Sequence, residues 1–527
     1  MGAFDVVVLG GGTAGVHVAT EVARRGKSVA LVEAGLIGGE SPYLADLPSN
    51  SLLLSASRGE AWEDAVARRT EVTGGLDDSG AERRLVSSGV TVFRGTGRIT
   101  GSGAVAVSGE TSLTYSDLVI ATGSEPVAPP IEGLSDIPTW TTAQGLCSPD
   151  LPRRLIVLGG GAAGCELAQV YAAFGSQVTL IEADPRLLPG EAAFAGEILA
   201  AALRRAGVEI FLGSPATKAE RTPDGLTLAL EDGTRIDADR LLLATGRRPR
   251  LGGLGLDVLG ITVVPGQALP TTASCQVAGV QGRVWAAGDV TGIMHAHASR
   301  YQAGVVAANI CGQPREADYS AIPRCVFTSP SVYAVGEPAR PGFVTAQVSL
   351  SSVARGRLGL DDLGSLELYA ADGILAGAVA VGPDAATWMA EVTLAIRAKI
   401  PVTILADVVH AFPTYGEALQ GAFRELARTD PRRTGPLSEL DMETPEDDAL
   451  EQHREVVADE AVTVARRDIP FDVDEADAAE QARAVGFDDD DYRLGWGERL
   501  TRPRDHRRPN LDRNVRRTPA QQPAAQA

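Results

Sequence analysis

Cysteine is scarce in this chain and nowhere paired. Five cysteines in 527 residues, Cys147, Cys165, Cys275, Cys311 and Cys325, stand far apart, and none forms a CxxC or CxxxxC pair. That spacing argues against a local redox dithiol, a cysteine-ligated metal cluster or a secreted disulfide framework. Six histidines scattered without ligand spacing offer no metal site. No apolar run approaches the roughly 18 to 20 residues that a membrane span needs. A strand pattern begins at residue 4, which leaves no room for a signal peptide. The expectation is a cytoplasmic protein without membrane insertion. Val6 stands where N-myristoylation needs Ser or Thr.

What the chain does have is apolar residues, at 44%, against 22% charged. A chain of this length and composition can bury several cores, and three or four domains are expected. The net charge of -20 is unevenly placed. Residues 439–491 hold 20 acidic and 4 basic residues, whereas 492–527 hold 9 basic and 3 acidic ones. The body before them is also acidic, which disfavours nucleic acid as the main partner. The region 431–527, acidic and then basic, cannot bury enough apolar surface to offset chain entropy, so a largely disordered tail is expected there. A local helix around 474–485 and a docking role for the tail stay open.

Residues 4–33 read as strand, glycine-rich turn, helix and strand. Gly10, Gly12 and Gly15 form GxGxxG directly after an apolar strand, and Glu33 ends the next strand 23 residues beyond Gly10. Such glycines allow a tight turn, close approach of a pyrophosphate and close helix packing, while the acid accepts ribose hydroxyls. Residues 155–182 repeat the unit: Gly159, Gly161 and Gly164, with Glu182 again 23 residues on. Two dinucleotide sites are therefore expected. An acid at Glu182 favours NADH over NADPH because it repels a 2′-phosphate; Arg186 nearby weakens that preference.

Two further segments match each other, DLVIATGSEP from Asp117 and RLLLATGRRP from Arg240. A third, VWAAGDVTG from Val284, ends a strand near Asp289, an acid suited to accept a hydrogen bond from a flavin ribityl hydroxyl. A turn-capping aspartate would give the same isolated GD pair, but the surrounding motifs favour the first reading.

These motifs, followed by MHAHASRYQAGVVAANICG, by IPRCVFTSPSVYAVGEP and by HAFPTYGEAL, occur in an order that resembles the class I pyridine nucleotide-disulfide oxidoreductases. That family includes dihydrolipoamide dehydrogenase, glutathione reductase and mercuric reductase, and the resemblance covers residues 4 to about 430. It implies an α/β fold with two Rossmann-like domains, the NAD(P) domain inserted in the FAD domain, then an α+β dimerisation domain. The implied boundaries are 1–150 and 248–318 for the FAD domain, 151–247 for the NAD(P) domain and 319–430 for the interface domain. The short β-type runs of 321–382 and a helix over 384–399 support the last of these independently. A symmetric homodimer is expected, each active site completed by the partner's C-terminal domain.

The resemblance also implies site residues. Non-covalent FAD would be held by Gly10, Gly12, Gly15, Glu33, Ala34, Ser41, Asn50, Gly97, Gly123, Asp289, Ala296 and His297; NADH, with NADPH open, by Gly159, Gly161, Gly164, Glu182 and Gly246. Backbone donors near His295 and His297 would face the flavin pyrimidine edge, the imidazoles themselves only packing or facing solvent. Glu166 matches the family's acid near the nicotinamide. Ala162 and Ala163, where some relatives carry a bulky gate, imply an open pocket.

The family's redox loop carries two cysteines, then Pro-Ser-Lys. Anchoring on Pro48-Ser49 places Ser41 and Asp46 at the cysteine positions and Asn50 at the lysine, which normally pairs with the family's acid. A hydroxyl and a carboxylate cannot cycle between dithiol and disulfide. The family's catalytic histidine is replaced by Phe412, while Glu417, its orienting acid, is present; His410 is read as packing or capping. The expected catalytic set is Glu166, Asp46, Tyr43 and Glu417, with Tyr43, Asp46, Phe412 and Tyr415 lining an acceptor pocket. The leading expectation is an NADH-dependent flavoenzyme passing electrons to a small quinone-like acceptor. A soluble transhydrogenase and a non-catalytic flavin-binding dimer are the alternatives.

Overall fold

The computed structural model describes residues 2–109, 111–359 and 364–429; the expected tail lies outside them. Three of the five sheets among the described residues organise the chain. The first has a parallel core in which Val90–Arg94, Val29–Glu33, Gly2–Leu9, the second half of Thr111–Ile120 and Arg283–Ala286 are adjacent in that order. Thr111–Ile120 is long enough to serve two partners along the edge opposite Gly2–Leu9. Its first half pairs antiparallel with Ala104–Val107, and that strand pairs with Gly97–Gly101.

The second sheet repeats this core. Glu209–Phe211, Gln177–Ile181, Arg154–Leu158, Arg240–Leu243 and Thr139–Thr141 are all parallel. Its outermost strand corrects the boundary expected at 151: Thr139–Thr141 already belongs to the nucleotide domain. The helix Thr142–Cys147 follows it, closed by a capping box between Thr141 and Gln144. A single turn of polar sequence concealed this strand, because three residues carry no periodicity.

The glycines explain the resemblance of the two halves. A Cβ on Gly10 would lie 2.3 Å from the Ala121 carbonyl oxygen, and one on Gly159 would lie 2.4 Å from that of Ala244. Each first glycine thus abuts the alanine of an ATG segment. The third glycines pack as tightly: a Cβ on Gly15 or Gly164 would meet the carbonyl of Gly10 or Gly159 within 2 Å. Helix Thr13–Arg24 buries Ala14, Val18 and Val22, spaced one turn apart, and packs on helix Ala296–Ile310.

The interface domain is an antiparallel sheet in the order Arg324–Val326, Ser331–Gly336, Ile374–Gly382, Ser365–Ala371 and Val344–Ser349. Helix Gly416–Thr429 covers it with Leu419, Phe423 and Leu426. The single helix expected over 384–399 is two, Ala385–Trp388 and Ala390–Ala398, because Met389 at ψ -1° tightens the backbone between them. Among the described residues no helix is long and apolar enough to cross a membrane.

The glycine packing yields a test. Gly164→Ala drives a methyl into the Gly159 carbonyl and should cost about 1–3 kcal/mol of stability, read as a lower unfolding temperature. Gly161→Ala meets nothing within 4 Å and should leave that temperature unchanged while weakening NADH binding.

Candidate functional site

Both glycine-rich turns are shaped for a phosphate. Helices Thr13–Arg24 and Ala162–Ala173 begin at Gly12 and Gly161 without a side-chain cap, so their first N–H groups are left for a ligand. A Cβ on Gly12 would meet only Gly39 Cα, at 3.8 Å, and one on Gly161 would meet nothing. The second glycines are the ones that face open space. Glu33 accepts from the N–H groups of Gly11 and Gly35, and Glu182 from those of Gly160 and Asp184. Each carboxylate oxygen retains a second lone pair with which to take a ribose hydroxyl. The guanidinium of Arg186 donates to the carbonyls of Pro189 and Glu191, folded onto its own loop.

The loop after Ile37 lies across the first turn. Gly38 donates to the Gly11 carbonyl at 2.7 Å, and a Cβ on Gly39 would lie 2.7 Å from Gly12 Cα. Beyond it, Asp289 accepts from Ser124 Oγ at 2.5 Å, and Gly288 donates to the buried Gln302 amide. Gly123 and Gly246, both at positive φ, cross-link the two connecting arms: the Gly123 carbonyl accepts from Arg250 and that of Gly246 from Val127. Neither Cβ would meet anything. Gly97 has a packing reason to be glycine, since a Cβ there would lie 2.6 Å from Leu9 Cδ2. Ala34 is exposed beside Glu33.

Helix Ala296–Ile310 starts at His295, again without a side-chain cap. The rings of His295 and His297 stack with centroids 5.3 Å apart. His297 Nε2 lies 2.7 Å from the Pro323 carbonyl oxygen; a carbonyl only accepts, so Nε2 carries the proton. The imidazole of His297 is thereby anchored. Burial, then His297 and Arg324, hold His295 below the usual histidine range.

The two residues expected at the thiol positions meet. Ser41 Oγ donates to Asp46 Oδ2 at 2.5 Å. Asp46 opens helix Asp46–Ser57, where its charge is favoured by the helix dipole. Asn50 Nδ2 donates back to the Asp46 carbonyl at 2.9 Å, so its amide does not reach Glu166.

Ser49 does instead. Its hydroxyl donates to Glu166 Oε2 at 2.6 Å, and the Phe327 N–H donates to Oε1 at 2.9 Å. Burial raises the Glu166 carboxyl above the usual carboxylate range, those two donors oppose the rise, and Asp46 adds to it. Gln169, one turn on, exchanges two hydrogen bonds with the Ser329 backbone. Ala162 and Ala163 are exposed at the start of the same helix. The sequence carried one clue to Ser49, its place beside Asn50, and none to Phe327.

Tyr43, Glu417 and Tyr415 each make further contacts within this chain. The Tyr43 ring lies against Gly38, and burial followed by the charge of Asp78 raises its phenol; it belongs with Asp77, Asp78, Arg84 and Arg94. Glu417 Oε1 accepts from the Thr414 N–H at 3.1 Å and so closes the start of its own helix. The Tyr415 and Trp388 rings lie with centroids 6.0 Å apart, tilted by 34°. His410 pairs with Glu391 at 3.0 Å. Phe412, by contrast, is 76% exposed, and Val409 and Ile404 in the same stretch are 90% and 57% exposed.

Paired glycine-rich nucleotide turns, each with a carboxylate ending the next strand, are the marks of an oxidoreductase that uses two dinucleotides. The family model described as pyridine nucleotide-disulphide oxidoreductase matches residues 4–303, and that family's dimerisation domain matches 322–423. The chain belongs to this family, whose members use FAD and NAD(P)H. Its dimerisation domain supports the expected homodimer. The dihydrolipoyl dehydrogenase of Geobacillus stearothermophilus is 31% identical over 450 residues, 78% of this chain and 94% of that protein. A mercuric reductase of Acidithiobacillus ferrooxidans is 31% identical over 459 residues, covering 80% of this chain and 82% of its own. Among solved structures, the HOCl-induced flavoprotein disulfide reductase RclA from Escherichia coli superposes with a TM-score of 0.73 at 26% identity, over 80% of this chain and 99% of that one.

Ser49→Ala removes one of the two donors to Glu166 and raises its carboxyl further. A carboxyl with a raised folded pKa contributes stability at low pH that is lost as pH rises from its unfolded to its folded value. The variant's deficit in unfolding temperature should therefore grow from pH 5 to pH 8; a pH-independent deficit would contradict the assignment.

Proposed function

We propose that this protein takes electrons from NADH and passes them through FAD directly to a small quinone-like acceptor, without reducing disulfides. The observation that carries this reading is the Ser41–Asp46 hydrogen bond at the loop positions that hold the thiol pair in the relatives the sequence resembles. A hydroxyl and a carboxylate hold the loop's geometry but cannot store an electron pair.

The residues present fit the two cofactors. Gly10, Gly12, Gly15 and Glu33 would hold the FAD adenosine and diphosphate, with Asp289 on the ribityl chain. Gly159, Gly161, Gly164 and Glu182 would hold NADH. When bound, FAD supplies a carrier that accepts two electrons from NADH and releases them to an acceptor. The start of helix Ala296–Ile310, which has no side-chain cap, would offer its N–H groups to the negative charge that grows on FAD on reduction. Glu166, which has no cation among the groups acting on it, would border the nicotinamide, and the reduced flavin would be less stabilised there than a lysine would make it. On the acceptor side, Asp46 takes a proton from water and hands it to the acceptor's oxygen, with Ser41 holding the carboxylate in place. In the expected homodimer the exposed Phe412 ring of the second copy would cover that side.

The folded-back Arg186 supports NADH over NADPH and disfavours a transhydrogenase, which must bind both. Glu182→Ala should raise KM for NADH about tenfold, by loss of charge-assisted hydrogen bonds.

NADH–quinone turnover should fall by at least about a hundredfold in Asp46→Ala if it acts as a proton donor, and Phe412→His should alter KM for the quinone. Unchanged kinetics in both variants would reject this pocket. Anaerobic NADH titration should deliver two electrons per subunit, all to flavin; four would reveal a second redox centre and overturn the reading.

A further inference from the structure

The Asp289 carboxylate is not held by its own turn alone. Ser124 Oγ donates to Asp289 Oδ2, and the same Ser124 oxygen accepts from Arg247 Nε at 2.8 Å. Arg247 Nη2 donates to the Ser124 carbonyl at 3.0 Å and also to Glu40. Arg250 Nη2 reaches the other Glu40 oxygen at 3.3 Å. A guanidinium cannot accept and a hydroxyl has one proton to give, so the chain runs in one direction, from Arg247 through Ser124 to Asp289.

Its members come from separate parts of the sequence. Ser124 and Arg247 open the two strands Ser124–Pro126 and Arg247–Pro249, which pair antiparallel where the chain passes between the two nucleotide domains. Glu40 directly follows the Gly38-Gly39 pair clasped to the first glycine turn. Ser124 is 2% exposed, so water does not compete for its bonds.

We propose that Arg247 is a positioning residue for the flavin. By holding Ser124 and Glu40 together, it fixes one Asp289 oxygen and leaves the other to the ribityl chain, while pinning the loop that lies over the first glycine turn. Retention of FAD therefore depends on a residue in the ribbon joining the two nucleotide domains, a residue that need not touch the flavin.

The test is the dissociation constant of FAD, measured by release of flavin fluorescence from purified holoprotein. Arg247→Ala and Ser124→Ala should each weaken FAD binding about tenfold to a hundredfold, as expected for loss of a charge-assisted hydrogen bond. The double variant should be little worse than either single one, because both break the same chain. Arg247→Lys should restore part of the affinity. Arg248 lies one residue on in the same strand and pairs with Glu125 at 2.8 Å on the exposed side, so Arg248→Ala should leave FAD affinity within about twofold. Equal weakening by Arg247→Ala and Arg248→Ala would mean that ribbon stability alone matters and would overturn the proposal. So would FAD affinity unchanged in Ser124→Ala, which removes one oxygen and keeps the test available should Arg247→Ala not fold.

Discussion

The carboxylate of Glu166 joins the three parts of this molecule. It sits on helix Ala162–Ala173 of the NAD domain, takes one hydrogen bond from Ser49 on a helix of the FAD domain and another from the Phe327 backbone of the interface domain. A partly buried charge without a cation is costly unless it is hydrogen-bonded, so neither donor can be withdrawn cheaply. That constraint sets how the domains meet. Gln169 and Ser329 repeat it one turn further along the same helix.

Around this junction the chain uses one construction twice. In each half, the first glycine abuts the alanine of an ATG segment, the third packs on the first, and the second is left bare toward the ligand. The ATG segments then run out into a common ribbon, where Gly123 and Gly246 exchange hydrogen bonds with each other's arms. The domains are thus tied through their nucleotide turns at one end and through Glu166 at the other.

Much of this was legible in the sequence because the rules behind it are local. Glycine spacing, an apolar strand and an acid 23 residues on leave few alternatives, and both parallel cores follow. The ordering of motifs located the site on the loop after Gly38. What escaped were interactions set by three-dimensional proximity. Asn50, at the family's lysine, was the natural partner for Glu166, but an amide one turn into a helix bonds its own backbone, and the neighbouring serine took the place. Within its own chain Glu417 caps the start of its helix, a bond the motif does not announce. Tyr43 is adjacent in sequence to the site, yet its ring turns toward Asp78. Arg247 and Ser124 stood in plain view after the ATG motifs, but nothing local says that they meet.

The contact between Ser41 and Asp46 has a consequence for the conditions under which the protein works. A thiol pair at this place would be open to alkylation, to heavy-metal capture and to over-oxidation, and its state would follow that of the surrounding thiol pool. A serine and an aspartate are indifferent to all of these. Those two side chains keep one covalent form in reducing and oxidising surroundings alike.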